Sequence, residues 1–141
     1  MSGKKQDKKV KIDQACQSGE EFAKKFYETF DKRRHVVSKL YLDAANVTWN
    51  GNSVSGKENI GKFFESLPPS ESTVTCIDAQ PINDQFVQGQ TTVLITAAGT
   101  MNFSGRSPYL FSESLLITAQ QGEEGHVWKV VSDCFRFHEP L

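Results

Sequence analysis

The first strong pattern in the chain is a stripe of apolar residues between positions 12 and 30. The apolar positions recur every three or four residues and the positions between them are polar, which is typical of one face of an α-helix. A helix over residues 12–30 is therefore predicted. Its apolar face would be formed by Ile12, Ala15, Cys16, Gly19, Phe22, Ala23, Phe26, Tyr27 and Phe30.

Two shorter helices are predicted from their capping signals. Asp31 is a favourable N-cap residue and would begin a helix that runs to about Leu42. Ser55 and Glu58 have the spacing of a capping box, so a third helix is expected to begin there. Pro68 cannot continue that helix, which predicts where it ends.

The remaining segments favour β-structure. Residues 47–49 are typical of a short strand, and Asn50-Gly51 is a turn pair that would return the chain through Val54. Four longer segments of alternating side chains follow, over residues 72–82, 90–103, 109–120 and 126–138. This order predicts an α+β domain with three N-terminal helices packed on one face of a strongly bent antiparallel sheet.

The second face of that sheet is a candidate interaction surface. Large apolar residues occur at both parities of the predicted strands, whereas a sheet with one wet face should alternate more cleanly. Because the helices can cover only one face, we expect the other to meet another protein. The alternative is a sheet that rolls up and covers itself. Strict alternation along the last strand places five residues on this second face: Trp128, Val130, Ser132, Cys134 and Arg136.

Arg136 is the residue of this face that is expected to matter most. A guanidinium is permanently charged, and a charge that is buried without compensation is expensive. We therefore expect Arg136 to form a bidentate pair with a carboxylate of the partner. The alternatives are a pair within the chain, or a side chain that lies along the sheet with its head in water.

The charged residues are unevenly distributed. Of the 16 basic and 17 acidic residues, five lysines and one acid lie in residues 1–11, which leaves 11 basic and 16 acidic residues in the rest. Such an acidic body is poorly suited to direct binding of nucleic acid, which depends on neutralising phosphates. We expect a basic, flexible tail over residues 1–11 and a single domain over residues 12–141. A nuclear-localisation or phosphate-contacting arm is the alternative for the tail.

Composition disfavours several other classes of protein. The chain has no run of about 18 apolar residues that could span a membrane, and no apolar segment follows the first lysines as in a secretory signal. Cys16, Cys76 and Cys134 cannot all pair within one chain and lack C-x-x-C spacing, so they are expected to be small apolar residues of a protein in a reducing compartment. Since the sequence has neither a Gly-rich phosphate loop nor a ligand cluster, no cofactor or metal is expected.

Several motifs resemble those of the nuclear transport factor 2 family. Residues 31–68 contain, in order, an acid-capped short helix, L-Y, a run of small residues, T-W, a Gly turn, then G-K and a helix that ends at L-P. The segments WNGNSVSG, QTTVL, ITAQ and SDCFRF are similar to the export-related branch of that family. The resemblance covers roughly residues 12–138.

The resemblance implies a fold, a partner and a role. It implies a cone-shaped α+β fold whose sheet face dimerises, here with the matching domain of a messenger RNA export receptor. It implies that the heterodimer carries messenger ribonucleoprotein through nuclear pores by contacting Phe-Gly nucleoporin repeats. A chain with that role would shuttle between nucleus and cytoplasm and would not be an enzyme.

Two other roles of this fold stay open. A homodimeric carrier of the GDP-bound Ran GTPase would have an acid directly after T-W and acids in the loop before the third long strand, where this chain has Asn50 and Arg106. An isomerase or dehydratase would place acids, tyrosines or histidines inside the cone. The candidates for such a site are Asp133, Asp78, Tyr41, Tyr109, His35, His126 and His138.

Direct binding of RNA is a further alternative. Basic residues cluster near the predicted second helix, with an aromatic residue close in sequence that could stack on a base. The more ordinary interpretation is the solvated side of an amphipathic helix. The residues concerned are Lys32, Arg33, Arg34, Lys39 and Tyr41.

Overall fold

The computed structural model describes residues 2–82, 92–122 and 125–140. This part of the chain contains three helices and six strands, in an order that agrees with the predicted α+β class. The elements are α1 (Ser2–Lys32), a 3-10 helix (Arg34–Leu40), β1 (Tyr41–Trp49), β2 (Asn52–Ser55), α2 (Lys57–Glu65), β3 (Ser70–Ile82), β4 (Thr92–Phe103), β5 (Tyr109–Gly122) and β6 (Gly125–Pro140).

The six strands form one sheet in the order β2-β1-β6-β5-β4-β3. The last four strands are the predicted antiparallel meander, and β1 pairs with β2 through the predicted Asn50-Gly51 turn. However, β1 runs parallel to β6, with Thr48 opposite Cys134, so the expectation of a fully antiparallel sheet is wrong. Local sequence signals such as a turn pair predict antiparallel hairpins. Strands β1 and β6 come from opposite ends of the chain, so no local signal predicts the direction in which they pair.

The predicted helices are confirmed in place but not in detail. Helix α1 begins at Ser2, so the backbone of the lysine-rich segment forms the first part of this helix. The flexibility of residues 1–11 stays a prediction. The second helix is a 3-10 segment rather than an α-helix. The third, α2, follows the β1–β2 hairpin, so the helices are not all N-terminal to the sheet.

Both predicted helix caps are wrong. The carboxylate of Asp31 accepts hydrogen bonds from Ser70 Oγ at 2.7 Å and from the Ser72 backbone N–H at 2.8 Å, so it joins α1 to β3. The N-cap of α2 is Gly56, with no side-chain cap. Gly56 has a φ of +87°, a conformation that glycine adopts without penalty.

Arg34 connects the C-terminal end of α1 to the C-terminal end of α2. Its Nε donates a hydrogen bond to Phe30 O at 2.6 Å, and Nη1 donates to Phe64 O at 3.1 Å. Nη2 donates to Pro68 O at 3.1 Å and to Ser70 Oγ at 2.8 Å. The guanidinium thereby binds carbonyl oxygens in the last turns of α1 and α2, where the regular helical hydrogen bonds come to an end.

The core lies between the helices and one face of the sheet, which we call the inner face. The predicted stripe of α1 is buried there, with Phe26 and Phe30 each 2% exposed. A Cβ at Gly19 would lie 2.9 Å from Ala79 Cβ, so glycine is what allows α1 to approach β3 this closely. The opposite side of the sheet is called the outer face below.

Candidate interaction surface and interior

The outer face at the middle of the sheet is lined by small side chains. The cross-strand register places Ser112 opposite Arg136, Ser114 opposite Cys134, and Thr96 opposite Ser114. Cys134 and Arg136 are exposed. These positions, together with Ser132, define the candidate interaction surface.

The expected apolar character of this surface is only partly present. Leu94 and Leu116 are half-buried, and Leu110 is 42% exposed. The positions between them are mostly Ser, Thr, Ala and Cys, which leave the surface flat and let a second sheet approach it. The surface therefore combines a few leucines with many hydroxyl groups, rather than forming an apolar layer.

A β-bulge in β6 changes which residues reach this surface. Ser132 is opposite Leu116, but Val130 is opposite Ile117, so Val131 has no counterpart in β5. One extra residue reverses the parity of the strand on its N-terminal side. Val130 is consequently fully buried on the inner face.

Trp128 follows Val130 to the inner side. It is opposite Ala119 and packs against the core while remaining partly exposed. The prediction that Trp128 and Val130 share a face with Arg136 is therefore wrong. The same prediction is confirmed for Ser132 and Cys134, which lie on the C-terminal side of the bulge.

Arg136 has no charged partner within the described chain. Its opposite neighbour in β5 is Ser112, whose hydroxyl lies 2.9 Å from His138 Nε2. Among the described residues, the ion pairs are Glu28–Lys32 and Glu58–Lys62, both within helices. The guanidinium is thus available to a carboxylate from outside this part of the chain.

Two acids lie together in the interior between the inner face and α1, and we call them the acid pair. Glu113 and Asp133 are 3% and 2% exposed. The Tyr27 hydroxyl donates a hydrogen bond to Glu113 Oε1 at 2.8 Å, and the Tyr41 hydroxyl donates to Asp133 Oδ2 at 2.6 Å. Asp133, one of the candidates for an acid inside the cone, does point inward.

Burial governs the ionisation of the acid pair. It raises the pKa of Glu113 well above its usual value, and the carboxyl of Asp133 raises this pKa further. Burial also raises the pKa of Asp133, although hydrogen bonds with Glu113 and Tyr41 oppose that shift. Sequence reasoning missed Glu113, yet its parity with Phe111 and Leu115 places a charged residue on the apolar side of β5 and could have revealed it.

The interior around the acid pair is filled with side chains. Trp49 stacks on Phe135 with ring centroids 4.0 Å apart. The remaining gap near Glu113 has no room for a water molecule, and it is lined by Phe26, Tyr27, Phe30, Trp49, Met101 and Phe135. A substrate could not reach the acid pair in this arrangement.

The other candidates for a catalytic site are dispersed. Asp78 and His35 are exposed, and His138 is exposed beside Ser112. Tyr109 packs against Phe137 with ring centroids 4.9 Å apart. The side chain of His126 lies outside the described residues.

A separate cavity opens beside Trp49 and Phe137. It encloses about 330 Å³ and is lined by Trp49, Asn50, Leu67, Pro68, Phe103, Arg106, Tyr109 and Phe137. This cavity is therefore lined both by Asn50, where a Ran carrier is expected to have an acid, and by Arg106, the base in the loop where further acids are expected. Asn50 Oδ1 accepts a hydrogen bond from the Phe137 backbone N–H at 2.7 Å.

The basic cluster suggested for RNA binding is not a uniform surface. Lys32, Arg33 and Lys39 are exposed, but Arg34 turns toward the backbone carbonyls described above and lies over the Phe30 ring at 4.0 Å. Tyr41 is fully buried. The arrangement therefore offers no aromatic platform beside the exposed cations.

Metal-binding clusters and membrane-spanning helices are also absent from the described residues. Within residues 2–82, 92–122 and 125–140, no cluster of three His, Cys, Asp or Glu side chains could hold a metal ion. No helix in these ranges is both long and apolar enough to cross a bilayer. The three cysteines are unpaired, but Cys76 and Cys134 are exposed, so the expectation that all three act as small apolar residues is wrong for these two. Cys16 donates a weak hydrogen bond to Ala79 O at 3.1 Å.

Comparison with known proteins agrees with this geometry. The model of the nuclear transport factor 2 (NTF2) domain matches residues 18–137. NTF2-related export protein 2 of Homo sapiens is 47% identical over 133 residues, which cover 94% of each chain. NTF2-related export protein 1 of Bos taurus is 44% identical and covers 94% of this chain and 95% of its own. The structure of nuclear transport factor 2 from Cryptosporidium parvum has a TM-score of 0.72 at 23% identity, covering 90% of this chain and 94% of its own.

Proposed function

Because the chain belongs to the nuclear transport factor 2 domain family, we propose that it is a nuclear export cofactor that acts as the small subunit of a heterodimer. The observation that carries this proposal is its similarity, along nearly its whole length, to relatives named as export proteins. The partner would be an export receptor that carries a matching domain. The pair would support movement of messenger RNA–protein complexes through nuclear pores.

The outer face is the proposed contact with the receptor. Two sheets of this size can pack face to face when their side chains are small enough for close approach. Ser132, Cys134 and Arg136 would form the contact from β6, with Ser112 and Ser114 from β5. Val130 and Trp128 are removed from the proposed contact because the bulge turns them inward.

Arg136 would select the partner. Since it has no ion pair among the described residues, a carboxylate in the facing domain would satisfy it with two parallel hydrogen bonds. Desolvation offsets much of the attraction in a buried pair, so the pair would contribute more to specificity than to net stability. A domain without that carboxylate would leave the guanidinium buried and unpaired.

A non-enzymatic role fits the interior. The acid pair is the arrangement most like a catalytic site, but packed aromatic rings separate it from solvent. The chemistry of this chain would therefore be that of binding. Nucleoporin Phe-Gly repeats would be contacted by the heterodimer, and the chain would shuttle between nucleus and cytoplasm.

A Ran-GDP carrier is the second candidate, and the cavity lined by Asn50 and Arg106 argues against it. Asn50 and Arg106 at its rim remove the negative charge that a basic ligand surface would require. Such a carrier would also form a homodimer. The stoichiometry in solution therefore distinguishes the two functions.

Co-expression with the matching domain of a messenger RNA export receptor tests the proposal. Light scattering after size-exclusion chromatography is expected to show a one-to-one heterodimer, and the chain expressed alone is expected to associate weakly with itself or to aggregate. A stable homodimer that does not exchange with the receptor domain would overturn the proposal. RNA alone is expected not to bind the purified heterodimer through this subunit.

A further inference from the structure

We propose that Glu113 and Asp133 share a single proton in the folded chain, which makes the acid pair a proton-binding site that holds α1 and β1 against β5 and β6. The two carboxyl groups lie on neighbouring strands, where Glu113 is opposite Phe135 and Asp133 is opposite Leu115. Their side chains are close enough that a hydrogen bond between them contributes to the pKa shift of each acid.

The hydrogen bonds around the acid pair leave one acceptor without a donor. Tyr27 serves Glu113 Oε1 and Tyr41 serves Asp133 Oδ2. Asp133 Oδ1 is buried and receives no hydrogen bond from an amide or hydroxyl of the described chain. A proton on Glu113 would supply the missing donor, and it would complete a hydrogen-bonded chain from Tyr27 through both acids to Tyr41.

The groups around the acid pair also favour one bound proton over two negative charges. The groups that face the acid pair are Tyr27 from α1, Tyr41 from β1 and, through the sheet, the Cys134 thiol from β6. Asp31 lies further along α1, and its negative charge helps to raise the pKa of Tyr27. None of these groups is a cation, so within the described chain nothing would compensate a second negative charge.

The packing excludes the alternative of solvation by water. The gap beside Glu113 cannot hold a water molecule, because the aromatic side chains of α1 and β1 close it. Two charged carboxylates at this site would therefore have to separate or draw water between α1 and the sheet. The shared proton is what makes the dry arrangement possible.

The direction of the pH effect follows from linkage. In the unfolded chain the two acids ionise near their ordinary pKa values of 4.5 and 3.8, while burial raises both pKa values in the folded chain. Stability from the shared proton is complete below those ordinary values and is lost as the pH rises through the raised folded value. Over that interval unfolding releases one proton, so the unfolding constant rises about tenfold per pH unit.

The substitution Glu113→Gln tests the proposal because an amide has nearly the same shape as a protonated carboxyl group but no proton that titrates in this pH range. Its NH₂ group can donate to Asp133 Oδ1, and its oxygen can accept from Tyr27. Urea unfolding of the full chain is measured from mildly acidic to mildly alkaline pH. Relative to the variant, the wild-type unfolding constant is expected to rise about tenfold per pH unit. The exposed control Glu71→Gln should follow the wild type.

Two results would decide against the shared proton. The first is the same pH dependence of unfolding in the wild type and in Glu113→Gln. The second does not require the variant to fold. Carboxyl carbon signals of Glu113 and Asp133 in labelled wild-type chain should show one protonated group at neutral pH, and signals of two ionised groups would overturn the proposal.

Discussion

The hydroxyl of Tyr41 donates a hydrogen bond to Asp133 Oδ2 at 2.6 Å, and this contact joins the first strand of the sheet to the last. Both side chains are buried, and their strands lie side by side in parallel. A residue at the start of β1 thereby holds the inner side of the strand whose outer side carries Arg136. The stability of the interior and the shape of the candidate interaction surface thus depend on the same two strands.

Tyr41→Phe is expected to destabilise the fold by about 2–3 kcal/mol, because it leaves a buried carboxylate oxygen without its donor. Urea unfolding at neutral pH measures the change. Tyr109→Phe is the matched control, since Tyr109 is only half-buried and its hydroxyl has no hydrogen bond among the described residues; it should change stability by less than about 0.5 kcal/mol. Equal stability of Tyr41→Phe and wild type would show that the contact contributes little.

Arg34→Lys is expected to lower the free energy of unfolding by about 1–3 kcal/mol. A lysine has one terminal nitrogen, whereas the guanidinium uses three nitrogens to reach carbonyls at the ends of both α-helices. Thermal unfolding monitored by circular dichroism is a suitable measurement. The exposed neighbour provides the control, because Arg33→Lys should leave the transition where it is. If both variants melt together, Arg34 does not fasten the helices.

Gly99→Ala is expected to disturb the pairing of β3 with β4. A Cβ at this position would overlap the carbonyl oxygen of Thr73 and lie 2.9 Å from Val74 Cα. The backbones approach closely here because β3 has a bulge between Val74 and Cys76. Crowding of this kind costs about 1–3 kcal/mol in urea unfolding. Gly61→Ala in α2 would bring a Cβ to 3.3 Å from Ser38 Cβ and Oγ, so only that small side chain has to shift slightly, and this variant should be destabilised less than Gly99→Ala.

Deletion of residues 1–11 is expected to leave binding of the receptor domain unchanged. Val10 is the one strongly apolar side chain between positions 2 and 11, so this segment has little to bury against a partner. Titration calorimetry with the full and shortened chains makes the comparison. An affinity lower by about tenfold or more would show that the segment takes part.

The elements of the fold follow from local patterns, whereas two decisive features do not. The stripe on α1 and the four long strands could be located because burial on one side imposes a period on the sequence. The parallel pairing of β1 with β6 depends on residues far apart in the chain and leaves no local signal. The bulge at Val131 also leaves no local signal in the sequence. Because of this bulge, strict alternation assigned Trp128 and Val130 to the wrong face.

The candidate interaction surface and the acid pair could likewise be predicted only in part. Ser132, Cys134 and Arg136 were placed correctly because they follow the bulge, where alternation is regular. The inward direction of Asp133 was predictable for the same reason. Its neighbour Glu113 was missed because the cross-strand register that brings the two acids together is a property of the folded sheet, although the charge itself stands out on an apolar parity.

The affinity of Arg136→Asp for the receptor's matching domain, measured by titration calorimetry, tests the proposed interface most directly. Arg106→Asp makes the same change at an exposed arginine on the rim of the cavity, away from the outer face, and should bind like the wild type. Breaking a buried pair costs about 3–5 kcal/mol, so Arg136→Asp should bind about a thousandfold more weakly with unchanged circular dichroism. An acid-to-arginine change in the facing domain should partly restore binding. Wild-type affinity of Arg136→Asp would show that the outer face is not the site of heterodimerisation.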